Sequence, residues 1–367
     1  MSAGLYVHVP FCVTRCGYCD FNAYAGLDHL RSRYVAALVQ EADLAAPEWP
    51  GETFASVFLG GGTPTTLDIE DLQALLSRLR STVDVASDAE ITIEANPDTV
   101  DRAKLSGLLD AGYTRLSMGA QSFDREVLTA LERLHDPDSV RRAMHAARAA
   151  GYANVNLDLI YGANGETLES WERTLRVTVD LQPEHVSAYA LTIEPSTPLG
   201  RKVQRGVVPA PDADMQADMF ELACEVLGEA GFHHYEVSNW ARTAQFECRH
   251  NLGYWRKQPC LGLGAGAHSY RDGRRWWNVR PPEEYLSLVE SGRLPIGGEE
   301  HLTPQEEDLE EVFLKLRTLE GMPVSSVASG VALGFLEQGL LSMVDDHLVP
   351  TERGMFLLNE LVLGLAS

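Results

Sequence analysis

The chain has 367 residues, of which 45% are hydrophobic and 23% charged, a composition typical of a folded protein with a large core rather than a disordered one. Its 30 basic and 53 acidic residues give a net charge of −23, which argues against a nucleic-acid-binding surface. The sequence shows no basic, apolar leader and no apolar stretch long enough to span a membrane, so we expect a cytoplasmic protein.

Short β-rich runs alternate with longer segments of helical periodicity through the first two-thirds of the chain. Such alternation predicts parallel strands with helices packed outside them. Six units fit a partial (βα)6 barrel within an α/β fold, although an open doubly wound sheet would give the same pattern. The predicted strands cover residues 5–9, 56–59, 90–94, 115–119, 154–159 and 185–190, and the predicted helices residues 30–44, 69–79, 102–109, 139–149 and 168–181.

Three cysteines, Cys12, Cys16 and Cys19, follow the first predicted strand. Thiols this close can share one metal centre, and thiolates select zinc, copper(I) or iron–sulfur clusters. A structural zinc site needs four protein ligands, and the sequence offers no second Cys-x-x-Cys pair. A [4Fe-4S] cluster held by three cysteines would keep one iron open for an external ligand. The loop therefore predicts a cluster, with zinc or simply buried thiols as alternatives.

Residues suited to ligand binding stand at the C-terminal ends of the other predicted strands, the face that carries the active site in barrels. The Gly-Gly-Gly-Thr-Pro run at residues 60–64 lacks the Walker A and dinucleotide spacings but allows close backbone approach to a cofactor. Glu94 and Asp158 are acids in apolar strands, which either bind a ligand or satisfy a nearby loop. The other polar candidates at this face of the barrel, its mouth, are Gln121, Tyr189 and Thr192, with Arg133 on a following helix.

A series of motifs between Tyr6 and Tyr270 resembles one known family. In order they are His-Val-Pro-Phe-Cys, Cys-Gly-Tyr-Cys-Asp-Phe-Asn, Gly-Gly-Gly-Thr-Pro-Thr, Glu-Ala-Asn-Pro, Gly-Ala-Gln-Ser-Phe, Asn-Leu-Asp-Leu-Ile-Tyr-Gly, Leu-Thr-Ile-Glu-Pro and His-Asn-Leu-Gly-Tyr-Trp. Together they resemble the coproporphyrinogen dehydrogenase branch of the radical S-adenosylmethionine (SAM) superfamily, and most closely its heme chaperones, the HemW group. The resemblance implies a [4Fe-4S] cluster on the three cysteines and a SAM site lined by Tyr6, Tyr18, Gly61, Gly62, Thr63, Glu94, Gln121, Arg133, Asp158 and Thr192.

Two departures distinguish this chain from the coproporphyrinogen dehydrogenases. Those enzymes carry a further cysteine two residues after the third, where this chain has Phe21, and an N-terminal arm, whereas only eleven residues precede Cys12. Both departures favour a chaperone that binds heme and delivers it to apo-hemoproteins. The alternative is an enzyme that oxidatively decarboxylates coproporphyrinogen III, so enzymatic activity stays open. We expect heme and an apo-hemoprotein as partners and no nucleic acid, with a membrane-associated acceptor and a homodimer as further alternatives.

His250 and Asn251, followed by Tyr254 and Trp255, resemble the His-Asn-x-x-Tyr-Trp motif that is associated with heme binding in these chaperones. Imidazole is a common axial ligand of heme iron, and flat aromatic rings stack on a porphyrin. From the residues alone, a histidine hydrogen-bonded in the core is the simpler interpretation. The resemblance is what favours His250 as a heme ligand, with Cys248 as a second candidate or a buried thiol.

The chain is expected to divide into three parts. These are a barrel over residues 1–235, an extension with the His-Asn motif over 236–298, and a small, mainly helical, winged-helix-like domain over 299–367. Thr303 followed by Pro304 predicts a capped helix start, and helices are expected at 306–317, 324–329, 333–339 and 351–363 around a strand-like turn at 341–349. This last part is acidic and lacks a basic recognition helix, so we expect a lid or docking role.

Overall fold

A twelve-stranded sheet organises the chain in the computed structural model, which describes residues 2–327 and 329–365. A three-stranded and a two-stranded sheet complete the β-structure of these residues. The strands are β1 (Ser2–Val9), β2 (Phe11–Cys12), β3 (Tyr24–Ala25), β4 (Thr53–Gly61), β5 (Asp84–Ala95), β6 (Arg115–Gln121), β7 (Val155–Tyr161), β8 (His185–Ala190), β9 (His233–Glu236), β10 (Asn239–Ala241), β11 (Cys260–Leu263), β12 (His268–Arg271), β13 (Arg274–Asn278), β14 (Ile296–His301), β15 (Met322–Pro323), β16 (Leu341–Val344) and β17 (His347–Pro350).

Six parallel strands form the barrel, in the order β1-β4-β5-β6-β7-β8. Their apolar side chains are buried because helices cover the outside of the sheet, as alternating strands and helices require. The parallel arrangement brings the C-terminal ends of all six strands to one edge. The predicted α/β fold with a partial (βα)6 barrel is confirmed, and every predicted barrel strand is present.

The helices between the barrel strands begin and end where the sequence signals place them. Asp101, Asp136 and Thr167 cap the starts of α3 (Arg102–Ala111), α5 (Pro137–Ala150) and α6 (Leu168–Asp180), while Gly112 and Gly151 take the left-handed conformation at the ends of α3 and α5. The helices are α1 (Arg31–Ala45), α2 (Ile69–Thr82), α3 (Arg102–Ala111), α4 (Arg125–Ala130), α5 (Pro137–Ala150), α6 (Leu168–Asp180), α7 (Pro198–Gln204), α8 (Ala213–Glu229), α9 (Arg249–Trp255), α10 (Pro282–Glu290), α11 (Pro304–Lys315), α12 (Ser329–Glu337), α13 (Glu352–Phe356) and α14 (Leu358–Leu365).

Strands from beyond the barrel units extend both edges of the same sheet. Beside β1, strand β11 pairs in parallel and β12, β13 and β14 follow in antiparallel order. At the other edge, β10 pairs with β8 and β9 with β10. The short helix α9 packs against β1 and β4. The predicted division at residues 235 and 298 stays a prediction, because these added strands continue the barrel sheet.

The C-terminal part combines the three-stranded sheet β15-β17-β16 with helices α11 to α14. Thr303 and Glu306 form a capping box at the start of α11. The helix expected at 324–329 is a 3-10 turn at Val324–Ser326, and part of that prediction, Ala328, lies outside the described residues. The predicted last helix is interrupted at Leu357, which separates α13 from α14. None of the helices described in residues 2–327 and 329–365 has the length and apolarity needed to cross a membrane.

Candidate cofactor site

The three cysteines of the first loop lie together at the C-terminal edge of the barrel. All three are partly buried and line one cavity of about 370 Å³. Arg133 donates a hydrogen bond to the Cys16 sulfur at 3.4 Å, and the Thr63 hydroxyl lies 3.7 Å from the Cys12 sulfur. Burial raises the pKa of Cys12 to about 11, while the nearby Arg133 charge acts in the opposite direction and favours the thiolate.

The donor set fits a cluster better than a single metal ion. Across the described ranges, no three His, Cys, Asp or Glu side chains converge on one metal-ion position. A zinc ion needs such convergence, whereas each cysteine of a cubane cluster binds a different iron around a larger centre. Three thiols spaced around one cavity wall therefore suit a [4Fe-4S] cluster.

The glycine run lines this cavity beside the start of the cysteine loop. The Gly62 and Thr63 amides donate hydrogen bonds to the carbonyls of Val9 and Phe11 at 2.8 and 2.7 Å. A Cβ on Gly62 would lie only 2.7 Å from the Phe11 carbonyl oxygen, so a side chain there would push the two segments apart. The run thus holds the cysteine loop close to the second strand.

Two carboxylates converge from neighbouring parts of the mouth. Glu94, at the end of β5, accepts a hydrogen bond from the Gly61 amide at 3.1 Å. Asp158, in β7, accepts hydrogen bonds from Ser117 at 3.1 Å and from Asn156 at 2.8 Å. Burial, reinforced by the Asp158 charge, raises the pKa of Glu94 to about 8, and burial also raises the pKa of Asp158. These groups are poised to accept hydrogen bonds from a polar ligand.

Gln121 shows backbone strain at the mouth. Its φ is 62°, a left-handed conformation that is uncommon outside glycine and concentrates at functional sites. Beside it, Arg133 donates to the Gly119 carbonyl at 2.9 Å and to the Asn96 side chain. Asn96 was not among the predicted site residues, although it stands in the Glu-Ala-Asn-Pro motif.

Most of the predicted SAM residues line the cavity of about 370 Å³, a volume within the range of small-molecule sites. Tyr6 does not line it and borders two neighbouring cavities instead. The predicted residues that the structure brings together here, with the cysteines, are Tyr18, Gly61, Gly62, Thr63, Glu94, Gln121, Arg133, Asp158 and Thr192.

His250 lies deeper, towards the N-terminal ends of the strands, and is only 3% exposed. Its Nδ1 is hydrogen-bonded to Ser56 at 2.9 Å and its Nε2 to Tyr254 at 3.0 Å. Its ring stacks on Phe58 and Tyr6 at centroid distances of 5.1 and 6.2 Å. Burial lowers the pKa of His250 to about 3. As an axial ligand, His250 would have to give up one of these two hydrogen bonds, and its role as a heme ligand stays a prediction.

Cys248 precedes α9 and is fully buried. Its sulfur lies 3.6 Å from the Glu90 carboxylate, and burial raises its pKa to about 12. Both observations are typical of a packed thiol rather than a reactive one.

A second cavity, of about 650 Å³, adjoins the first. The two share Asp20, Phe21, Gly61 and Glu94 in their walls. Its far side is formed by the β12–β13 hairpin and the segment after it, a region from which the sequence analysis selected no site residue. The residues that it adds are His8, Asn22, Gly266, His268, Trp277, Asn278 and Arg280, with Tyr6 and Tyr254.

The chain is similar over almost its whole length to proteins named heme chaperone HemW. The protein of that name from Mycobacterium tuberculosis is 43% identical over 98% of this chain and 93% of its own length. The chain belongs to the HemW family. The Escherichia coli HemW is 35% identical over 98% of this chain and 96% of its own length.

The wider relationships of a HemW family member agree with this assignment. A family profile described as the radical SAM superfamily matches residues 6–178. In structure, the chain is similar to the E. coli coproporphyrinogen III oxidase HemN, a radical SAM enzyme, with a TM-score of 0.85 and 24% identity over 100% of this chain and 90% of that one. At this identity the likeness shows the fold. The predicted family is confirmed, and with it a [4Fe-4S] cluster and SAM as the cofactors of the superfamily.

Proposed function

We propose that this protein is a heme chaperone, which binds heme and delivers it to an apo-hemoprotein. The observation that carries the proposal is the similarity to HemW heme chaperones across 98% of the chain, including the parts outside the barrel. The cavity of about 650 Å³ beside the cysteine loop supports it, because it offers room for a second ligand next to the SAM cavity.

The cluster is proposed to be held by Cys12, Cys16 and Cys19. When bound, it supplies an open iron that can take a chelating ligand and an electron for a sulfonium cofactor. Arg133 donates a hydrogen bond to the Cys16 sulfur, and its charge favours the thiolate form of Cys12. Among the residues proposed to hold SAM, Glu94 and Asp158 accept hydrogen bonds from the ligand, and the glycine run lets the backbone approach it. The full proposed SAM set is Tyr6, Tyr18, Gly61, Gly62, Thr63, Glu94, Gln121, Arg133, Asp158 and Thr192.

The competing function is oxidative decarboxylation of coproporphyrinogen III. The similarity to HemN supports a common fold for the two proteins. Phe21 argues against the enzyme, because an exposed phenyl ring, 64% accessible, stands where the family pattern of the decarboxylases has a further cysteine. A phenyl ring supplies neither a thiolate nor a proton, so chemistry that needs that cysteine has no substitute at this position.

Two further proposals concern where the protein works and its oligomeric state. We propose that the protein works in the cytoplasm and hands heme to a membrane-associated acceptor, and that it does so as a homodimer. Size-exclusion chromatography with light scattering, at working concentration and with and without heme, tests the homodimer. Transfer to an acceptor in vesicles compared with the same acceptor in detergent tests the role of the membrane.

The proposed function is tested on anaerobically reconstituted full-length protein. We expect hemin to bind with one-to-one stoichiometry in an absorbance titration and to appear afterwards in an apo-cytochrome, while coproporphyrinogen III is not consumed. Iron and sulfide are measured in the same preparation, so that a negative result cannot be due to a missing cluster. Absence of heme binding, or turnover of coproporphyrinogen with release of 5′-deoxyadenosine, would contradict the proposal.

A further inference from the structure

The larger cavity contains a histidine whose ring is free to bind a ligand. His268 is exposed, and in the described part of the chain no side chain or carbonyl forms a hydrogen bond with its ring. His8, which lines the same cavity, and His250, which lies deeper in the barrel, differ from it. His8 is bonded to Tyr6 and to the Asn22 carbonyl, and both nitrogens of His250 are also bonded. His268 therefore offers the open imidazole of this region.

The hairpin fixes the orientation of that imidazole. Residues His268 and Trp277 are direct partners in the β12–β13 ladder, and their rings stack with centroids 5.7 Å apart and an interplanar angle of 27°. An axial imidazole stands across the plane of a porphyrin, so Trp277 would hold the ligand ring rather than cover the macrocycle. Phe21, 64% exposed, and Tyr254, 42% exposed, are the aromatic rings of this cavity that are available to contact the macrocycle.

The protonation state also suits a ligand. Although the side chain is exposed, neighbouring atoms exclude part of the solvent around the ring, and this partial desolvation, followed by the charges of Arg280 and Arg275, lowers the pKa of His268, while Glu300 acts in the opposite direction. A neutral imidazole carries the lone pair that binds iron. Arg275 forms ion pairs with Glu300 and Glu310.

Arg280 supplies a positive charge at the same cavity wall. Its side chain is exposed, and within residues 2–327 and 329–365 it has no ion-pair partner. Its charge reaches the cavity, because it acts on the pKa of both His268 and His8. A guanidinium in this position is suited to bind a carboxylate.

Buried hydrogen bonds hold these residues in place. Glu41, 2% exposed, accepts hydrogen bonds from the Gly264 amide at 2.7 Å and from Asn278 at 2.6 Å. Asn22 donates to the carbonyls of Ala265 and Arg280, both at 2.9 Å. The segments on either side of His268 and Trp277 are thus tied to α1 and to the cysteine loop. A site built on such fixed elements loses little entropy on binding.

We propose that heme binds in this cavity with His268 as an axial ligand of the iron and Arg280 on a propionate, a proposal that rests on the proposed chaperone function. The neutral imidazole donates a lone pair to iron, and neither a proton transfer nor a change in oxidation state is required. Heme in this position lies beside the wall that is shared with the SAM cavity. His250 would then keep its hydrogen bonds to Ser56 and Tyr254.

The test is a hemin titration of reconstituted full-length protein, followed by absorbance and by electron paramagnetic resonance of the ferric heme. Loss of even an outer-shell partner of a metal ligand weakens metal binding about 10- to 100-fold, so we expect His268→Ala to raise Kd by at least about tenfold. The spectrum of histidine-ligated iron should disappear, and free imidazole should restore it. His145→Ala, at an exposed position on α5, is the matched control and should bind as the wild type does.

The outcomes separate this inference from the function on which it rests. If wild-type protein with an intact cluster binds no heme, the chaperone proposal itself fails. If wild type binds and His268→Ala gives the same Kd and spectrum, the His268 assignment is overturned while the chaperone function stands. Loss of the signature in His250→Ala, with its retention in His268→Ala, would assign the ligand to His250 instead.

A second variant tests the carboxylate contact independently. Arg280→Gln should raise the Kd for hemin about two- to fivefold, the effect expected for an exposed ion pair. It should leave the Kd for hemin dimethyl ester unchanged, because the ester has no carboxylate. Equal effects on both ligands would contradict a propionate contact at Arg280.

Discussion

The base of the barrel, at the N-terminal ends of its strands, and the mouth, at their C-terminal ends, both contain histidines and carboxylates. The hydrogen bonding of these residues differs between the two ends. At the base, His185 joins Asn156 at 2.6 Å to Tyr235 at 2.7 Å, and both ring nitrogens are occupied. At the mouth, Glu94 retains an accepting oxygen and His268 an open ring. The difference teaches that burial with full hydrogen bonding marks residues that hold the fold, whereas incomplete hydrogen bonding at a cavity marks residues that await a ligand.

The largest effect is expected at the base, from His185→Ala. The substitution removes a fully buried ring and one hydrogen-bond partner from each of Asn156 and Tyr235, so we expect the free energy of unfolding to fall by about 3–5 kcal/mol. Urea denaturation followed by circular dichroism measures it. His145→Ala, which removes an exposed ring, should change the value by less than about 0.5 kcal/mol. Similar values for the two variants would mean that the hydrogen bonds of the base do not support the fold.

A smaller loss is expected for His250→Ala. The variant opens a space and removes the partner of Ser56, but Tyr254 is 42% exposed and can turn to water, so the expected cost is about 2–3 kcal/mol. The same denaturation experiment measures it. Unchanged stability would show that the hydrogen bonds of His250 do not support the fold. His250 would then be a candidate for ligand binding.

The effect with the lowest expected minimum is a change in the pH dependence of stability in Glu94→Gln. The pKa of Glu94 is raised from 4.5 to about 8, so the folded protein holds this proton when the unfolded chain has lost it. Stability therefore falls as pH rises from about 4.5 to about 8. Glutamine resembles the protonated acid and should reduce this loss by at least about 1 kcal/mol.

The measurement is urea denaturation of the SAM-free protein at a series of pH values. Three other buried acids have pKa values raised to about 7, namely Glu41, Glu166 and Glu236. They contribute equally to the pH dependence of stability in the wild type and in the variant. The informative quantity is thus the difference between variant and wild type. Parallel pH profiles would show that folding does not raise the pKa of Glu94.

The sequence predicted those parts of the molecule that are governed by local patterns. Alternating strands and helices gave the barrel, and spacing identified the cysteine loop, because both signals lie within short segments. The pairing of β12 and β13 beside β11 is a long-range property that no periodicity reveals. For that reason His268, Trp277 and Arg280 were missed. His250 was noticed through its motif, but the motif did not reveal that both ring nitrogens are hydrogen-bonded.

The wall shared by the two cavities has a thermodynamic consequence. Asp20, Phe21, Gly61 and Glu94 face both spaces, so a ligand that shifts the charge or position of these residues from one side alters the binding energy on the other. Linkage makes such coupling reciprocal: if SAM changes the affinity for heme by some factor, heme changes the affinity for SAM by the same factor. If SAM and heme occupy these two cavities as proposed, occupancy of the second cavity would change the affinity of the first for SAM.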